Sequence, residues 1–290
     1  MQLIRSACDQ RPRDANKFIC SHASRFERNS YMRLIMTTIL LAAIAAIGCN
    51  GTNVNNNASS NANANKSIVV SAPTPIRPEA PPNPAFKPCN PYFPLVPGSV
   101  AKYVINYSSG IVGDLVVVVD AAEENGRKVF VQRSQLVDRS GGMQIVQTIV
   151  RKFACDGDRV YILSEETDSN IAGQVSKTEF EYRENSLMMT DPKSMGIKGS
   201  TWSHAFRTIY HNPGQPPSRS DTPTIIGFEV QGPLDVTTAV GTFKTVGVVR
   251  KVAENLVADY FAPGIGLVKR QSKEGTSWEI KEYSGLKSQE

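Results

Sequence analysis

The chain has 290 residues, 40% of them apolar and 20% charged, a composition that excludes a multispanning membrane protein, a collagen and a wholly disordered chain. The formal charge of +5 is unevenly spread: residues 1–49 hold seven of the 32 Lys and Arg and three of the 27 Asp and Glu, which leaves the rest at 25 cations against 24 anions. Phosphate binding needs a surplus of cations on one face, so no nucleic-acid partner is expected.

The first predicted element is an address. Arg33 precedes an apolar run of fourteen residues, 34–47, followed by Gly48 and Cys49. As a helix this run would span about 21 Å, short of the roughly 30 Å of bilayer hydrocarbon but matched to the apolar region of a cleaved secretion signal. Ala46-Ile47-Gly48-Cys49 resembles the lipobox of bacterial lipoproteins, in which a cysteine is acylated and becomes the mature N-terminus. The expectation is a signal peptide over residues 32–48 and a lipidated Cys49 that holds a membrane, two or three acyl chains being enough for stable anchoring. An ordinary signal peptide with an incidental Cys is the alternative. Residues 1–31 are charged and apolar-poor, and Met32-Arg33 offers a better start with a short cationic n-region. They are expected to be a start-site artefact, the alternative being a genuine extension.

A tether is expected next, over residues 49–88. Eight of residues 50–65 are Asn, and ten prolines stand between Pro73 and Pro97. The Asn-rich part buries too little apolar area to offset the entropy of ordering, and the prolines favour extended polyproline II.

Short β-branched and aromatic runs then fill residues 89–285, read as a single β-rich domain before a tail at 286–290. Strands are predicted at 100–107, 111–121, 128–137, 143–154, 159–163, 177–183, 201–210, 224–231, 234–240, 243–252, 257–261, 267–272 and 277–283. Asn125-Gly126 marks a tight hairpin, and alternation directs Phe180 and Tyr182 toward the core. The unbroken run 116–119 suggests a central strand buried on both faces. Segments 166–176 and 187–194 have room for a short turn of helix, and the proline-rich stretch 211–223 reads as an exposed loop dividing the sheet in two. The fold class expected is all-β, one large curved antiparallel sheet, half-barrel or sandwich-like.

Three strings resemble a family of bacterial envelope lipoproteins of unknown function, the TapB-like family, related to LolA-like curved-sheet proteins. They are Cys89-Asn90-Pro91-Tyr92-Phe93-Pro94-Leu95 with Pro97-Gly98, then Gly241-Thr242-Phe243 with Val246, and Tyr260-Phe261-Ala262-Pro263-Gly264-Ile265-Gly266-Leu267-Val268-Lys269. The resemblance implies a large antiparallel sheet wrapped around a hydrophobic cavity and carries over no catalytic residue. In the last string, Pro263-Gly264 suits the centre of a type II turn, where Gly supplies the positive φ.

Chemistry-bearing residues are sparse. With Cys49 acylated, Cys89 and Cys155 form an even pair and are expected to form a disulfide, the alternative being two buried thiols. His204 and His211 are the two histidines of the mature chain, and neither stands in a metal-binding or nucleophile motif. Asp156-Gly157-Asp158 reads as a tight turn. No cofactor or metal is expected. Trp202, Phe206, Phe228, Phe243, Phe261 and Trp278 are candidates for an apolar cavity lining, with a packed core as the alternative.

The functional expectation is a non-catalytic lipoprotein of the cell envelope whose β domain binds a lipid-like apolar ligand or an envelope protein. Asn50 after Cys49 favours the outer membrane, by resemblance to known sorting rules. Ligand carriage predicts an apolar cavity above roughly 300 Å³. A rival hydrolase predicts His204 within hydrogen-bond reach of a Ser and a carboxylate. A purely structural subunit predicts a filled interior.

Overall fold

The computed structural model describes residues 73–110, 112–138, 145–171 and 173–287. Residues 1–31, the signal peptide, Cys49 and the Asn-rich part of the tether lie outside them. The elements are β1 (Val100–Asn106), β2 (Val112–Glu124), β3 (Arg127–Asp138), β4 (Ile145–Asp156), β5 (Arg159–Ile171), β6 (Gln174–Tyr182), β7 (Leu187–Met189), α1 (Pro192–Met195), β8 (Thr201–His211), β9 (Ser218–Arg219), β10 (Thr224–Thr238), β11 (Gly241–Val252), β12 (Asn255–Ala262), β13 (Gly266–Ser272) and β14 (Ser277–Ser284).

Every ladder is antiparallel. The path runs β10-β11-β12-β13-β14-β1-β2-β3-β4-β5-β6-β8, and β8 returns to β10, so twelve strands close into a barrel. The all-β class and the single curved sheet are as expected, and the curvature continues past a half-barrel to closure. The closing ladder runs from Thr224↔Phe206 to Glu229↔Thr201. Stretch 211–223 therefore does not divide the sheet. It is an excursion between two paired neighbours, and Ser218–Arg219 folds back on β8 through Ser220 N to Thr208 O at 2.8 Å. The prolines remove donors locally, but they do not act on the strands either side.

Turn chemistry behaves as its residues dictate. Asn125 and Gly126 have φ of 53° and 72°, the double left-handed geometry of a type I′ hairpin. Gly264 has φ of 78°, and Ile265 N donates to Ala262 O at 3.2 Å, closing the turn that Pro263-Gly264 predicts. Two expected runs, 224–231 and 234–240, are one strand, β10, carried past Pro233 by a bulge between Val230 and Gly232. Segment 166–176 holds the end of β5 and the start of β6. Its apolar signal is missing because Thr167 and Ser169 are the residues buried inside, and Ser169 accepts from Gln147 Nε2 at 3.2 Å. Segment 187–194 contains β7, paired to β5, and most of the one-turn helix α1, capped by Asp191 Oδ1 accepting from Ser194 N at 3.0 Å.

Residues 73–88, assigned above to the tether, lie against the outer wall of the barrel. Asp120 Oδ1 accepts from Glu79 N at 2.7 Å, Arg133 donates to Arg77 O at 3.2 Å, and Gln135 donates to Thr74 O at 3.0 Å. This strap covers the outside of β2, so Val118 is fully buried although its side chain faces away from the lumen. Gly98 permits the close approach: its φ is +83°, and a Cβ there would sit 2.4 Å from the backbone of Pro81 and Pro82. Replacing Gly98 by Ala is expected to cost about 1–2 kcal/mol and to loosen the strap. Limited proteolysis should then cut within residues 73–88 faster than in the wild type; an unchanged rate would count against this docking.

Elsewhere the outer wall carries cross-strand ion pairs, among them Lys102–Glu282 at 2.8 Å, Lys269–Glu279 at 2.7 Å, Lys177–Glu166 at 3.1 Å and Lys281–Asp114. Each stabilises little when exposed. A membrane-spanning barrel needs an apolar outer band about 25 Å tall, and these charges interrupt any such band.

Candidate functional site

Alternation directs one side chain in two into the lumen: Ala101, Tyr103 and Ile105 from β1, Leu115, Val117 and Val119 from β2, and Trp202, His204 and Phe206 from β8. About eight strands enclose a space that side chains can fill, and a wider barrel needs something more. Twelve strands leave a gap here that is closed partly by large side chains and partly by a plug at one end.

The plug is the string that begins at Cys89. The Cys89–Cys155 disulfide, with Cα atoms 6.3 Å apart, ties it to the end of β4. Asn90 is fully buried and donates to Asp158 O at 2.7 Å and Thr190 O at 2.8 Å, while its Oδ1 accepts from Tyr92 N at 2.9 Å and Phe93 N at 3.2 Å. Phe93 packs edge-on against Phe153, ring centres 5.2 Å apart. Gly264 N donates to Pro91 O at 2.7 Å, and Pro94 abuts Gly266, where a Cβ would meet Pro94 Cδ at 3.0 Å. The first and last of the three strings singled out in the sequence thus interlock at one end of the barrel.

Beyond the plug lies a cavity of about 200 Å³. Of the six aromatic candidates, Trp202, Phe228, Phe261 and Trp278 line it. Phe206 does not: it is packed with Phe180 at 5.2 Å and Tyr182 at 5.5 Å, as filled core. Phe243 does not either. It stands in the β10–β11 hairpin beyond the β11–β12 ladder, which starts at Val246, and packs on Tyr283. The cavity is smaller than the roughly 300 Å³ expected for ligand carriage and its lining is not purely apolar. Both differences have one cause, since long charged side chains enter the lumen and occupy it.

Two ion pairs stand inside, each between directly opposed strand residues. Arg151 on β4 grips Glu165 on β5 through Nε to Oε2 at 2.8 Å and a terminal nitrogen to Oε1 at 3.1 Å, and Tyr182 donates its hydroxyl to Oε2 at 3.1 Å. Arg270 on β13 grips Asp259 on β12 through Nε to Oδ1 at 2.6 Å and a terminal nitrogen to Oδ2 at 2.9 Å, with its guanidinium 4.5 Å over the Trp278 ring. Burial pushes the phenols of Tyr103 and Tyr182 well above the usual range, and Glu165 adds to the effect at Tyr182. Both therefore remain neutral donors, Tyr103 to Leu267 O at 2.9 Å.

His204 faces the cavity, but its Nδ1 hydrogen-bonds to the carbonyl of Leu187 at 3.2 Å, between the rings of Tyr182 at 5.6 Å and Phe228 at 5.4 Å. The Ser and carboxylate that a hydrolase would need beside it make no hydrogen bond to it among the described residues. His211, seven residues on, is on the opposite face, 3.4 Å from Glu179. Burial is the main cause that pulls the His204 pKa below its ordinary value, opposed by the Leu187 carbonyl. The unfolded chain therefore binds the proton first as pH falls, so this stability is complete above about pH 6.5 and declines below it. His204→Asn, which keeps a donor for Leu187, is expected to lose less stability than wild type between pH 7 and pH 5 in paired urea titrations; parallel declines would contradict this.

Asp156-Gly157-Asp158 is the turn from β4 to β5, with Gly157 at φ 55°. Among the described residues there is no group of three or more His, Cys, Asp or Glu placed to hold a metal. Five lumen residues were not singled out in the sequence: Arg151, Glu165, Arg250, Asp259 and Arg270. A signal existed. Arg250 sits two residues from Val248 and Val252, Asp259 two from Val257 and Phe261, and Arg151 two from Ile149 and Phe153, so each charge occupies an inward position of an alternating strand.

No protein-family model matches the chain, and no curated protein or solved structure matches it.

Proposed function

We propose that this is a lipid-anchored protein of a bacterial envelope whose barrel encloses a small apolar or amphiphilic ligand, without catalysis. The observation that carries this reading is the aromatic-walled cavity inside a closed, plugged barrel, the place where such folds hold small molecules. At about 200 Å³ it suits a short-chain molecule and not a whole diacyl lipid. Cys49 supplies the anchor, residues 50–72 the spacer, and the outer membrane is the surface served. The Cys89–Leu95 and Tyr260–Lys269 strings interlock into one seal at an end of the barrel, which shelters the cavity.

Native mass spectrometry of the protein from its own host, disulfide intact, is expected to show a small added mass that denaturation removes. A bare chain mass would overturn ligand carriage. Radioactive palmitate is expected to label the wild type and not Cys49→Ala; equal labelling would overturn the anchor.

A further inference from the structure

The cavity residues carry three guanidinium groups, Arg151, Arg250 and Arg270, against two carboxylates, Glu165 and Asp259. Both carboxylates are already taken, each holding one arginine through both oxygens. Arg250 is left over. Its directly opposed neighbours are Phe228 on β10 and Val257 on β12, neither of which can accept a hydrogen bond. Its Nε is buried and has no hydrogen-bond partner. Arginine cannot discharge itself by losing a proton in this range, and a half-buried guanidinium whose Nε is shut away without an acceptor is costly to hold in a fold. Burial, then the neighbouring Arg270, pull the Arg250 pKa down to about 10 against the opposing charges of Asp259 and Glu165, neither of which bonds to it, and it stays charged at neutral pH.

Resting on the reading of the lumen as a ligand site, we propose that the ligand is a monoanionic amphiphile whose carboxylate pairs with Arg250 while its short apolar tail lies along Trp202, Phe228 and Phe261. The surplus of one positive charge selects one negative charge, since a dianion would leave the lumen as unbalanced as before. A carboxylate fits the fork of a guanidinium with two parallel hydrogen bonds. The His204 imidazole, neutral above its lowered pKa, and the raised phenols of Tyr103 and Tyr182 add no competing charge.

Both tryptophans of the chain, Trp202 and Trp278, line the cavity, so their fluorescence reports occupancy of the lumen. The purified protein is titrated with 8-bromooctanoate and with 8-bromooctan-1-ol, whose bromine quenches indole on contact. The expected result is quenching by both, with the carboxylate binding at least tenfold tighter than the alcohol, and this comparison needs no variant. In Arg250→Met the preference should fall to within about twofold, and in Arg250→Lys it should be partly kept. Equal affinity of the two compounds for the wild type, or an undiminished preference in a folded Arg250→Met protein, overturns the anionic assignment alone. Quenching by neither compound overturns the lumen as a ligand site, and the assignment with it.

Discussion

Asp259→Asn is expected to lower the unfolding free energy by about 3–5 kcal/mol, the cost of removing one partner from a buried ion pair. The carboxylate is nearly inaccessible, with 4% of its side chain exposed, and it holds Arg270 through both oxygens. Its loss leaves Arg270, like Arg250, without a paired carboxylate, and Glu165 alone against three guanidinium groups in the lumen. The double variant Asp259→Leu with Arg270→Met removes both charges, keeps apolar volume against Trp278, and is expected to cost less than Asp259→Asn alone. Urea unfolding with closely similar slopes for the three proteins checks this through their midpoints. If the single variant costs under about 1 kcal/mol, the lumen is wetter than its burial implies.

Removing the disulfide has a comparable expected effect by another route. Cys89 and Cys155 are separated by 66 positions, and on the loop-closure model a cross-link of that span stabilises by about 4 kcal/mol through the unfolded chain. Cys89→Ser with Cys155→Ser should show that loss in urea and, in addition, faster proteolysis of residues 73–97. The second effect follows from what the bridge holds: Asn90 and Phe93 seat the plug, and the strap is continuous with it. A variant that unfolds earlier but resists proteolysis as wild type does would separate the global stabilisation from the anchoring of the plug.

Much of the architecture was legible locally. Asn125-Gly126 and Pro263-Gly264 mark their turns because few residues tolerate positive φ. The Cys89–Cys155 pairing was legible because, with Cys49 set aside as the expected acylation site, these were the two cysteines left from residue 49 onward. Other features were hidden for equally specific reasons. The end of β5 escaped because its inward residues, Thr167 and Ser169, are polar, so the alternation on which strand prediction rests was absent. The strap escaped because proline-rich sequence has few donors and no alternation to advertise a docking site, and its contacts are made by Glu79 N and the carbonyls of Thr74 and Arg77 with Asp120, Arg133 and Gln135 of the barrel.

By itself, the order of residues determined the class of structure: short-range alternation and turn residues are properties of neighbours along the chain, and neighbours suffice to make strands and hairpins. Only the tertiary structure decided that the sheet closes, because Phe206 and Thr224 become partners across an excursion that carries no mark of its destination. The same holds for the lumen. Arg151 and Glu165, or Asp259 and Arg270, are ordinary surface charges until closure places their faces inside, and Arg250 becomes a cation in search of an anion only when the strands beside it present Phe228 and Val257.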